Sequence, residues 1–331
     1  MDKRSVSIII PNYNGRHLLE EYLPITIAVA EQSGALFEII VVDDASKDES
    51  VSFMKSNYPN VKLIVNSENR GFSFTCNRGI DAAGNELILL LNSDVKLTPG
   101  YFDEQWKYFE QPGTFGVMGR IIDMNGDGIQ DAARMPKSNG FKLKTDYFYY
   151  VSDPAEAGLY TFYLSGANAL IDAVKLKELG GFNELFSPFY CEDIELGLRA
   201  WRMGWKCYYE HQSVCRHQVS ASTKNYKTAK WVKSIYYRNR FYFHAIHLDG
   251  LASLAWYCQI TLIDLLPKLL AGQWWIWDSY RQLFQNSAAI KQNKETIRRL
   301  MAKHNSHISV SEMISIIKAS IKGKQFTRFK P

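Results

Sequence analysis

The first part of the chain alternates short apolar runs with longer stretches in which apolar residues recur at helical spacing. The apolar runs occupy residues 5–11, 38–42, 62–65 and 87–91. Runs this short and continuous are typical of strands buried on both faces of a sheet. The stretches with helical spacing are residues 17–32, 46–57 and 72–83. This alternation predicts an α/β fold with a doubly wound, Rossmann-like, mostly parallel sheet flanked by helices.

The pattern beyond residue 98 is less uniform. Residues 99–108 favour a helix, whereas residues 113–160 carry many turn formers and indicate an irregular segment, with a hairpin turn at MNGDG and a mobile loop over a site. A helical stretch within residues 170–179 is stopped by Gly180 and Gly181. Glu192 and Asp193 open a further helix over residues 194–203.

Polar side chains follow the apolar run 87–91 directly, at Asn92, Ser93 and Asp94. In an open parallel sheet, ligands bind beyond the carboxyl ends of the strands, which is where these residues fall. A carboxylate at this edge suits a divalent metal that carries phosphates, because Mg²⁺ and Mn²⁺ prefer oxygen ligands. The alternative is that Asp94 caps a helix or closes a turn.

A second acidic pair, Asp43 and Asp44, ends the apolar run 38–42. Acids at this position accept hydrogen bonds from a nucleobase or ribose, although capping of the next helix is the competing interpretation. The glycine-rich GxGxxG fingerprint of dinucleotide-binding enzymes is absent after the first predicted strand. The sequence therefore disfavours a dehydrogenase and still allows a nucleotide at this edge.

Three acids, Glu192, Asp193 and Glu195, lie in the first turn of one predicted helix. The helix dipole stabilises acids there without any catalysis, but three exceed what a cap requires. His217 follows a short strand-like segment, and a single histidine is more often structural than a metal ligand.

Composition narrows the class of protein. The 331 residues are 46% hydrophobic and 22% charged, as in ordinary globular proteins. The five cysteines include no CxxC pair, which argues against a disulfide framework or a zinc ribbon and favours a reducing cytoplasm. The first residues lack the pattern of a signal peptide.

Charge divides the chain into two regions, 1–220 and 221–331. Residues 221–331 hold 18 Lys and Arg against 5 Asp and Glu, whereas residues 1–220 hold 21 against 29. The basic region is also rich in aromatic residues, and its apolar run 251–270 is interrupted by Gln259, Asp264 and Pro267. These features predict a helical region that lies in the plane of an anionic membrane surface. The alternatives are a helical hairpin packed on the first region and, ranked low, a nucleic-acid binder.

Six segments, taken in order, resemble family 2 glycosyltransferases with the GT-A fold. They read SIIIPNYNG, IIVVDDASKDES, NRGFSFTCNRGI, LLLNSD, SGANALI and GGFNELFSPFYCEDIELGLRAWRMGW, and His217 follows them. The resemblance covers about residues 5–220, divided into a nucleotide-sugar part (1–95) and an acceptor and catalytic part (96–220). It implies an enzyme that transfers one sugar from a nucleotide-diphosphate sugar to a glycan or lipid-linked acceptor with inversion.

The resemblance also implies roles for individual residues. Asp193 is the catalytic base, with Glu192 supporting it. Asp94 holds a divalent metal, Mn²⁺ or Mg²⁺, and His217 completes its shell. The donor sugar lies over Gly166, Ala167 and Asn168. The residues that line the nucleotide pocket are Pro11, Tyr13, Asn14, Asp43, Asp44, Asn77, Arg78, Asn92 and Ser93.

Two departures from the family pattern change what is expected. Asn92 stands where a stricter motif has aspartate, which weakens the metal site. The QxxRW motif of processive synthases is absent, so addition of a single sugar is expected. A sugar nucleotidyltransferase and a non-catalytic nucleotide-sugar-binding protein are the alternatives.

The setting expected from the resemblance is cell-surface polysaccharide assembly. The protein is then peripheral at the cytoplasmic face of the cell membrane, and no nucleic-acid partner is expected. Rhamnose is the first candidate sugar, with galactose and glucose remaining open.

Overall fold

The computed structural model describes residues 3–151, 153, 158–218 and 228–330. A ten-stranded sheet forms its centre, and a three-stranded sheet lies beside it. The strands are β1 (Val6–Asn12), β2 (Phe37–Asp43), β3 (Lys62–Val65), β4 (Leu87–Leu91), β5 (Val95–Leu97), β6 (Thr114–Asp123), β7 (Ile129–Asp131), β8 (Ala133–Asn139), β9 (Lys142–Tyr150), β10 (Leu159–Tyr160), β11 (Asn168–Asp172), β12 (Lys206–His217) and β13 (Thr327–Phe329). The α-helices are α1 (Arg16–Ser33), α2 (Ser50–Asn57), α3 (Phe72–Ala82), α4 (Ala173–Glu178), α5 (Glu192–Arg202), α6 (Ala229–His247), α7 (Gly250–Gln259), α8 (Leu266–Leu270), α9 (Trp275–Gln285), α10 (Ser287–Lys303) and α11 (Val310–Ser320).

The main sheet runs in the order β10-β12-β6-β11-β4-β1-β2-β3. Strands β3, β2, β1 and β4 are parallel, β11 is antiparallel to both of its neighbours, and β6 and β12 are parallel to each other. The predicted α/β architecture with a mostly parallel sheet is therefore confirmed. All five residues of β4 are buried between β1 and β11, as their unbroken apolar run requires.

The irregular segment predicted over residues 113–160 is wrong, because β6, β7, β8 and β9 lie there. Gly116 and Gly119 suggested turns in the sequence but lie within β6. Neighbouring backbone leaves no room for a side chain at either position. A Cβ added at Gly116 would lie 2.6 Å from the Leu170 carbonyl oxygen, and one at Gly119 would lie 2.4 Å from the Ser213 carbonyl oxygen. Close strand packing, and not a turn, explains these glycines. The turn expected at MNGDG does connect β6 to β7.

Two helix predictions also need correction. Residues 99–105 form turns that lead into a 3₁₀ helix at Trp106–Glu110, in place of a helix over 99–108. The stretch 170–179 divides into the end of β11 and the short helix α4, because Asp172 caps α4 by accepting a hydrogen bond from the Lys175 backbone N–H.

The helices after residue 228 pack on the main sheet domain. Asn239 in α6 is fully buried and donates to the carbonyl oxygens of Phe186, Phe189 and Tyr190. Strand β13 pairs with β9, and β9 pairs with β8, so the C-terminal region also completes the small sheet. One alternative for residues 221–331 was a helical region packed on the first region of the chain. The structure shows such packing in the part of 221–331 that it describes.

Residues 250–270 form a continuous helical segment with a π-helical turn at Ile260–Leu265 between α7 and α8. Pro267 lies at the start of α8 and lacks the N–H that a regular α-helix would use here. Among the described residues, none of the helices combines the length and the apolar character needed to cross a bilayer.

The contact of α3 with the sheet gives a stability prediction. A Cβ at Gly79 would lie 2.4 Å from Cγ2 of the fully buried Ile9, so Gly79→Ala overpacks this interface. We expect the free energy of unfolding to fall by about 1–3 kcal/mol, measured by urea titration. Gly113→Ala is the matched control, since no atom lies within 4 Å of its added Cβ, and it should change stability by less than about 0.5 kcal/mol. Equal effects of the two substitutions would contradict the prediction.

Candidate active site

The carboxyl ends of β1 and β2 are held together by Asp43. In the register of these parallel strands, Asn12 lies opposite Asp43. The Asp43 carboxylate accepts hydrogen bonds from the Asn12 amide at 2.9 Å and from the hydroxyl and backbone N–H of Ser46 at 2.6 and 2.9 Å. Asp43 therefore fixes the loop that follows β2. Contact of its side chain with a nucleobase stays a prediction.

Asp44 shapes the adjacent loop in the same way. Its buried carboxylate accepts hydrogen bonds from the backbone N–H groups of Arg70 and Gly71 at 3.0 and 2.8 Å and from the Asn66 amide at 2.9 Å. These bonds anchor the segment that leads into α3. The sequence did not predict this anchoring, and direct contact with a nucleobase stays a prediction here too.

The loop after β1 presents an exposed aromatic ring. Asn14 adopts a left-handed conformation with φ 53°, and its side-chain oxygen accepts a hydrogen bond from the Lys47 backbone N–H at 2.6 Å. Pro11 is partly buried at the end of β1, whereas Tyr13 is 41% exposed. The loop thereby holds the Tyr13 ring at the surface, where an aromatic face can stack on a base.

Asn77 and Arg78 lie on α3. The Asn77 amide donates to the Phe182 carbonyl at 2.9 Å, and its oxygen accepts from the Phe182 backbone N–H at 2.8 Å. Asn77 thus joins α3 to the segment that precedes α5, a structural role that sequence reasoning missed. Arg78 is exposed.

The turn before β11 lies against the polar residues after β4. The backbone N–H of Asn92 donates to the Ala167 carbonyl at 3.2 Å. A Cβ at Gly166 would lie 3.1 Å from the Phe72 ring, so glycine permits this close approach. Asn168 is fully buried, and its amide donates to the Gly119 carbonyl at 3.0 Å. The Asn168 side chain therefore stabilises the core. That the donor sugar lies over Gly166, Ala167 and Asn168 stays a prediction.

Asp94 and His217 meet because β5 pairs with the end of β12. Val95 lies opposite His217 in this antiparallel pair, and the Gln218 backbone N–H donates to the Asp94 carbonyl at 3.1 Å. As a result, Nε2 of His217 lies 3.5 Å from Oδ2 of Asp94. Residues far apart in the sequence are thus brought to one point beyond β4.

The Asp94 and His217 pair suits a divalent metal. Two ligands at 2.0–2.2 Å from one ion lie roughly 3–3.5 Å apart, close to the observed separation. Nδ1 of His217 lies 2.9 Å from Oε1 of Gln130, so Nδ1 carries the proton and Nε2 is left to coordinate. Within the described residues, no three His, Cys, Asp or Glu side chains form a complete metal site. The diphosphate and water would supply the remaining ligands.

Asn92 and Ser93 border this pair. The Asn92 side-chain oxygen is buried and accepts no hydrogen bond from the described residues. Such an orphaned acceptor is suited to a hydroxyl donor from a ligand. A Cβ at Gly15 would lie 3.5 Å from the Ser93 hydroxyl oxygen, which places Ser93 against the loop after β1.

Glu192 and Asp193 occupy the first turn of α5, after Cys191 with φ 72°. Burial and the charge of Asp193 raise the pKa of Glu192 well above its usual range. Burial also raises the pKa of Asp193, while the positive charge of Arg134 opposes this increase. A carboxylate with a raised pKa is a stronger base, and Asp193 is therefore equipped to accept a proton.

Asp131 and Arg134 are functional candidates that the sequence analysis missed. Arg134 is buried, forms an ion pair with Asp131, and its guanidinium lies 4.2 Å from the centre of the Tyr163 ring. Both charges act on Asp193: Arg134 lowers the pKa of Asp193 and Asp131 raises it. The sequence around Asp131 and Arg134 matches no family motif. It could not indicate their role, because that role depends on strand pairing.

The residues at the two ends of the candidate site are connected through β7. His217, beside Asp94, contacts Gln130, the residue before Asp131. The charge of Asp131 adds to the effect of burial, which raises the pKa of Asp193. We call Asp94, His217, Asp131, Asp193 and Arg134 the active-site strip. The third acid of α5, Glu195, does not belong to it. Glu195 is buried and binds Arg199 at 2.8 Å and His247 at 3.4 Å, which accounts for it structurally.

Comparison with known sequences identifies a family. Residues 7–180 match the model described as glycosyl transferase family 2. An uncharacterised protein of Mycobacterium tuberculosis is 32% identical over 287 residues, covering 83% of this chain and 82% of that protein. N-acetylglucosaminyl-diphospho-decaprenol L-rhamnosyltransferase of the same organism is 25% identical over 210 residues, covering 56% of this chain and 67% of the relative.

Solved structures share the fold. The structure of GalNAc-T7 with UDP, GalNAc and Mn²⁺ matches with a TM-score of 0.68 and 16% identity, covering 98% of this chain. The chain spans 58% of the length of that protein. Staphylococcus aureus TarS 1-349 in complex with UDP-GlcNAc matches with a TM-score of 0.53 and 14% identity, covering 91% of each chain. With a family match over more than half of its length and this shared architecture, the chain belongs to glycosyl transferase family 2 and is a glycosyltransferase with the GT-A fold.

Proposed function

We propose that this enzyme transfers one sugar, with inversion, from a nucleotide-diphosphate sugar to a hydroxyl of a lipid-linked or glycan acceptor. The active-site strip is the observation that carries the proposal. In it, His217 of the candidate metal pair contacts Gln130, the neighbour of Asp131 in β7. The charge of Asp131 acts in turn on the candidate base, Asp193. A donor diphosphate at one end and an acceptor hydroxyl at the other would then lie on the same surface.

The chemistry follows from the position of each group. Asp94 and His217 would hold a divalent cation, Mn²⁺ or Mg²⁺, which when bound neutralises charge on the departing nucleoside diphosphate. Asp193 accepts the proton of the acceptor hydroxyl as its oxygen attacks the anomeric carbon. Attack from the face opposite the leaving group inverts that carbon. Arg134 keeps enough of the Asp193 population ionised for this work, because it opposes the effect of burial on the pKa.

The nucleotide is proposed to lie over the loops after β1 and β2. Tyr13 offers a ring for stacking, and the orphaned oxygen of Asn92 offers an acceptor for a hydroxyl. Rhamnose remains the first candidate sugar, supported by the name of the mycobacterial relative, which transfers L-rhamnose to a diphospho-decaprenol acceptor. A role in assembling cell-surface polysaccharide is consistent with such an acceptor.

We further propose that α7, the π-helical turn, α8 and α9 rest on the cytoplasmic face of an anionic membrane. These elements expose large apolar side chains, namely Leu251, Leu254, Leu262, Ile263, Leu266, Leu270, Trp274, Trp277 and Phe284. The region 221–331 that contains them carries 18 Lys and Arg against 5 Asp and Glu. Apolar insertion combined with positive charge is typical of interfacial helices.

The first prediction tests the base. Asp193→Asn should lower turnover by roughly 10²–10⁴-fold and leave donor affinity nearly intact, because it removes only the proton acceptor. Turnover is measured as nucleotide release with UDP-, dTDP- and GDP-sugars, with and without Mn²⁺. Asp81→Asn, the same change at an exposed position of α3, is the matched control and should leave turnover nearly unchanged. Normal turnover of Asp193→Asn would remove this residue from the mechanism.

The second prediction concerns pH. Asp193 works in its deprotonated form, so kcat/KM should fall as pH drops through its raised pKa, above the usual aspartate value of about 4. Arg134→Gln removes a charge that favours ionisation and should move this acid limb to higher pH by about one unit. Asp131→Asn removes a like charge and should move the limb to lower pH. Shifts of the same sign in both variants would contradict the assignment.

The third prediction concerns the membrane. Replacing Leu262, Ile263, Leu266 and Leu270 together by Gln should abolish sedimentation with anionic vesicles, because it removes the inserted apolar surface. Leu36→Gln with Val174→Gln, which are also strongly exposed but lie elsewhere, is the matched control and should bind as before. Unchanged sedimentation of the fourfold variant would contradict this docking face.

A further inference from the structure

A cavity of about 480 Å³ lies between the β8–β9 hairpin, the start of α5 and the helices α6 and α7. We call it the hairpin cavity. Lys144 of β9, Arg240 of α6 and Ile260 of the π-helical turn contribute to its walls. It is therefore formed jointly by the sheet domain and the C-terminal helices.

The hairpin cavity carries unmatched positive charge. Lys142 and Asp264 at its edge form an ion pair with each other, and Asp264 also lies 3.6 Å from Lys268. Lys144 and Arg240 form no ion pair with any carboxylate in the described part of the chain. Arg240 donates only to neutral oxygens, the Leu143 carbonyl at 3.2 Å and the Tyr236 hydroxyl at 3.4 Å.

The histidine of the cavity does not alter this balance. Burial lowers the pKa of His244 to about 3, so the ring is neutral. Its Nε2 accepts the Leu143 backbone N–H at 2.8 Å, and its Nδ1 donates to the Arg240 carbonyl at 2.6 Å. Lys144 and Arg240 thus face a space in which the lining carboxylate, Asp264, is already paired with Lys142 and Lys268. Partly buried cations of this kind favour an anionic ligand.

One wall of the hairpin cavity adjoins the candidate base. Ile194, which directly follows Asp193, lines it, and so does Tyr163. Burial raises the pKa of Tyr163 and the charge of Asp193 adds to this increase, which places the carboxylate close to that wall. Burial raises the pKa of the Cys191 thiol at the start of α5, and the Arg240 guanidinium opposes this increase, so the cation also lies near the helix end that carries the base.

The opposite side of the cavity leads to the exposed apolar face. Ile260 and Asp264 of the π-helical turn line the cavity, whereas Leu262 and Ile263 of the same turn project outward and are exposed. Aromatic side chains, including Tyr237, Phe241 and Trp256, form much of the lining. The cations, the aromatic lining and the exposed apolar face follow one another in space. A ligand with an anionic group and an apolar chain matches this arrangement.

We propose that the hairpin cavity binds the phosphate or diphosphate group of a lipid-linked acceptor through Lys144 and Arg240. The acceptor's sugar hydroxyl is then presented to Asp193, and its lipid chain leaves along the exposed face of the π-helical turn. This inference rests on the proposed function and names the acceptor class for it.

Binding of a short prenyl diphosphate tests the inference without requiring transfer. Farnesyl diphosphate, farnesol and inorganic pyrophosphate are titrated by calorimetry against the full chain in buffer with EDTA, which removes metal from the donor end. Farnesyl diphosphate should bind at least about tenfold more tightly than farnesol, because charged hydrogen bonds hold its head group. Lys144→Gln and Arg240→Gln should each weaken its binding by about tenfold.

Lys137→Gln is the matched control, since Lys137 lies on the same hairpin, half exposed, outside the cavity lining, and it should bind farnesyl diphosphate normally. Lys144→Gln breaks no hydrogen bond or ion pair among the described residues, so its effect is separate from folding. Equal affinities for farnesol and farnesyl diphosphate, or unchanged binding by both cavity variants, would overturn the inference. Charge-dependent binding in a protein that transfers no sugar would support the cavity and refute the proposed function.

Discussion

The pairing of β12 with two different strands determines where the chemistry can occur. Along most of its length β12 runs parallel to β6, and at its end it accepts the three-residue strand β5 as an antiparallel partner. His217 then lies opposite both Val95 and Asp123. Backbone hydrogen bonds therefore fix the position of His217 relative to Asp94, and no flexible loop needs to close for the two side chains to meet.

Local sequence patterns predicted the elements whose own residues are enough to identify them. The buried strand β4 and the polar residues that follow it were identified from their apolar run and its abrupt end, and the observed strand has the predicted limits. Sequence could not reveal β6, since Gly116 and Gly119 resemble turn formers until neighbouring backbone is seen to occupy the space of a side chain. Asp131 and Arg134 were not identified from the sequence for a related reason, because only long-range strand pairing brings them to Asp193.

The competing interpretations of the sequence are now reduced. Membership of glycosyl transferase family 2 excludes the sugar nucleotidyltransferase. For the basic C-terminal region, packing on the sheet domain and exposure of an apolar face are both true of the structure, because α6 makes the contacts while the segment after α7 remains open. The packing contacts and the exposed apolar face therefore belong to different helices of this region.

The small sheet has an evolutionary consequence. Strand β9 lies between β8 and β13 and places Lys144 on the hairpin cavity, whereas Asp94 belongs to the edge of the large sheet. The two sheets are separate hydrogen-bonded units. Arg134 of β8 pairs with Asp131 of the active-site strip, whereas Lys144 of β9 forms no ion pair with the described residues. Mutational drift at Lys144 can therefore remodel the wall of the hairpin cavity while the Asp94 and His217 pair retains its geometry. Descendants of one ancestral enzyme thus have a structural route to a changed cavity beside an inherited pair.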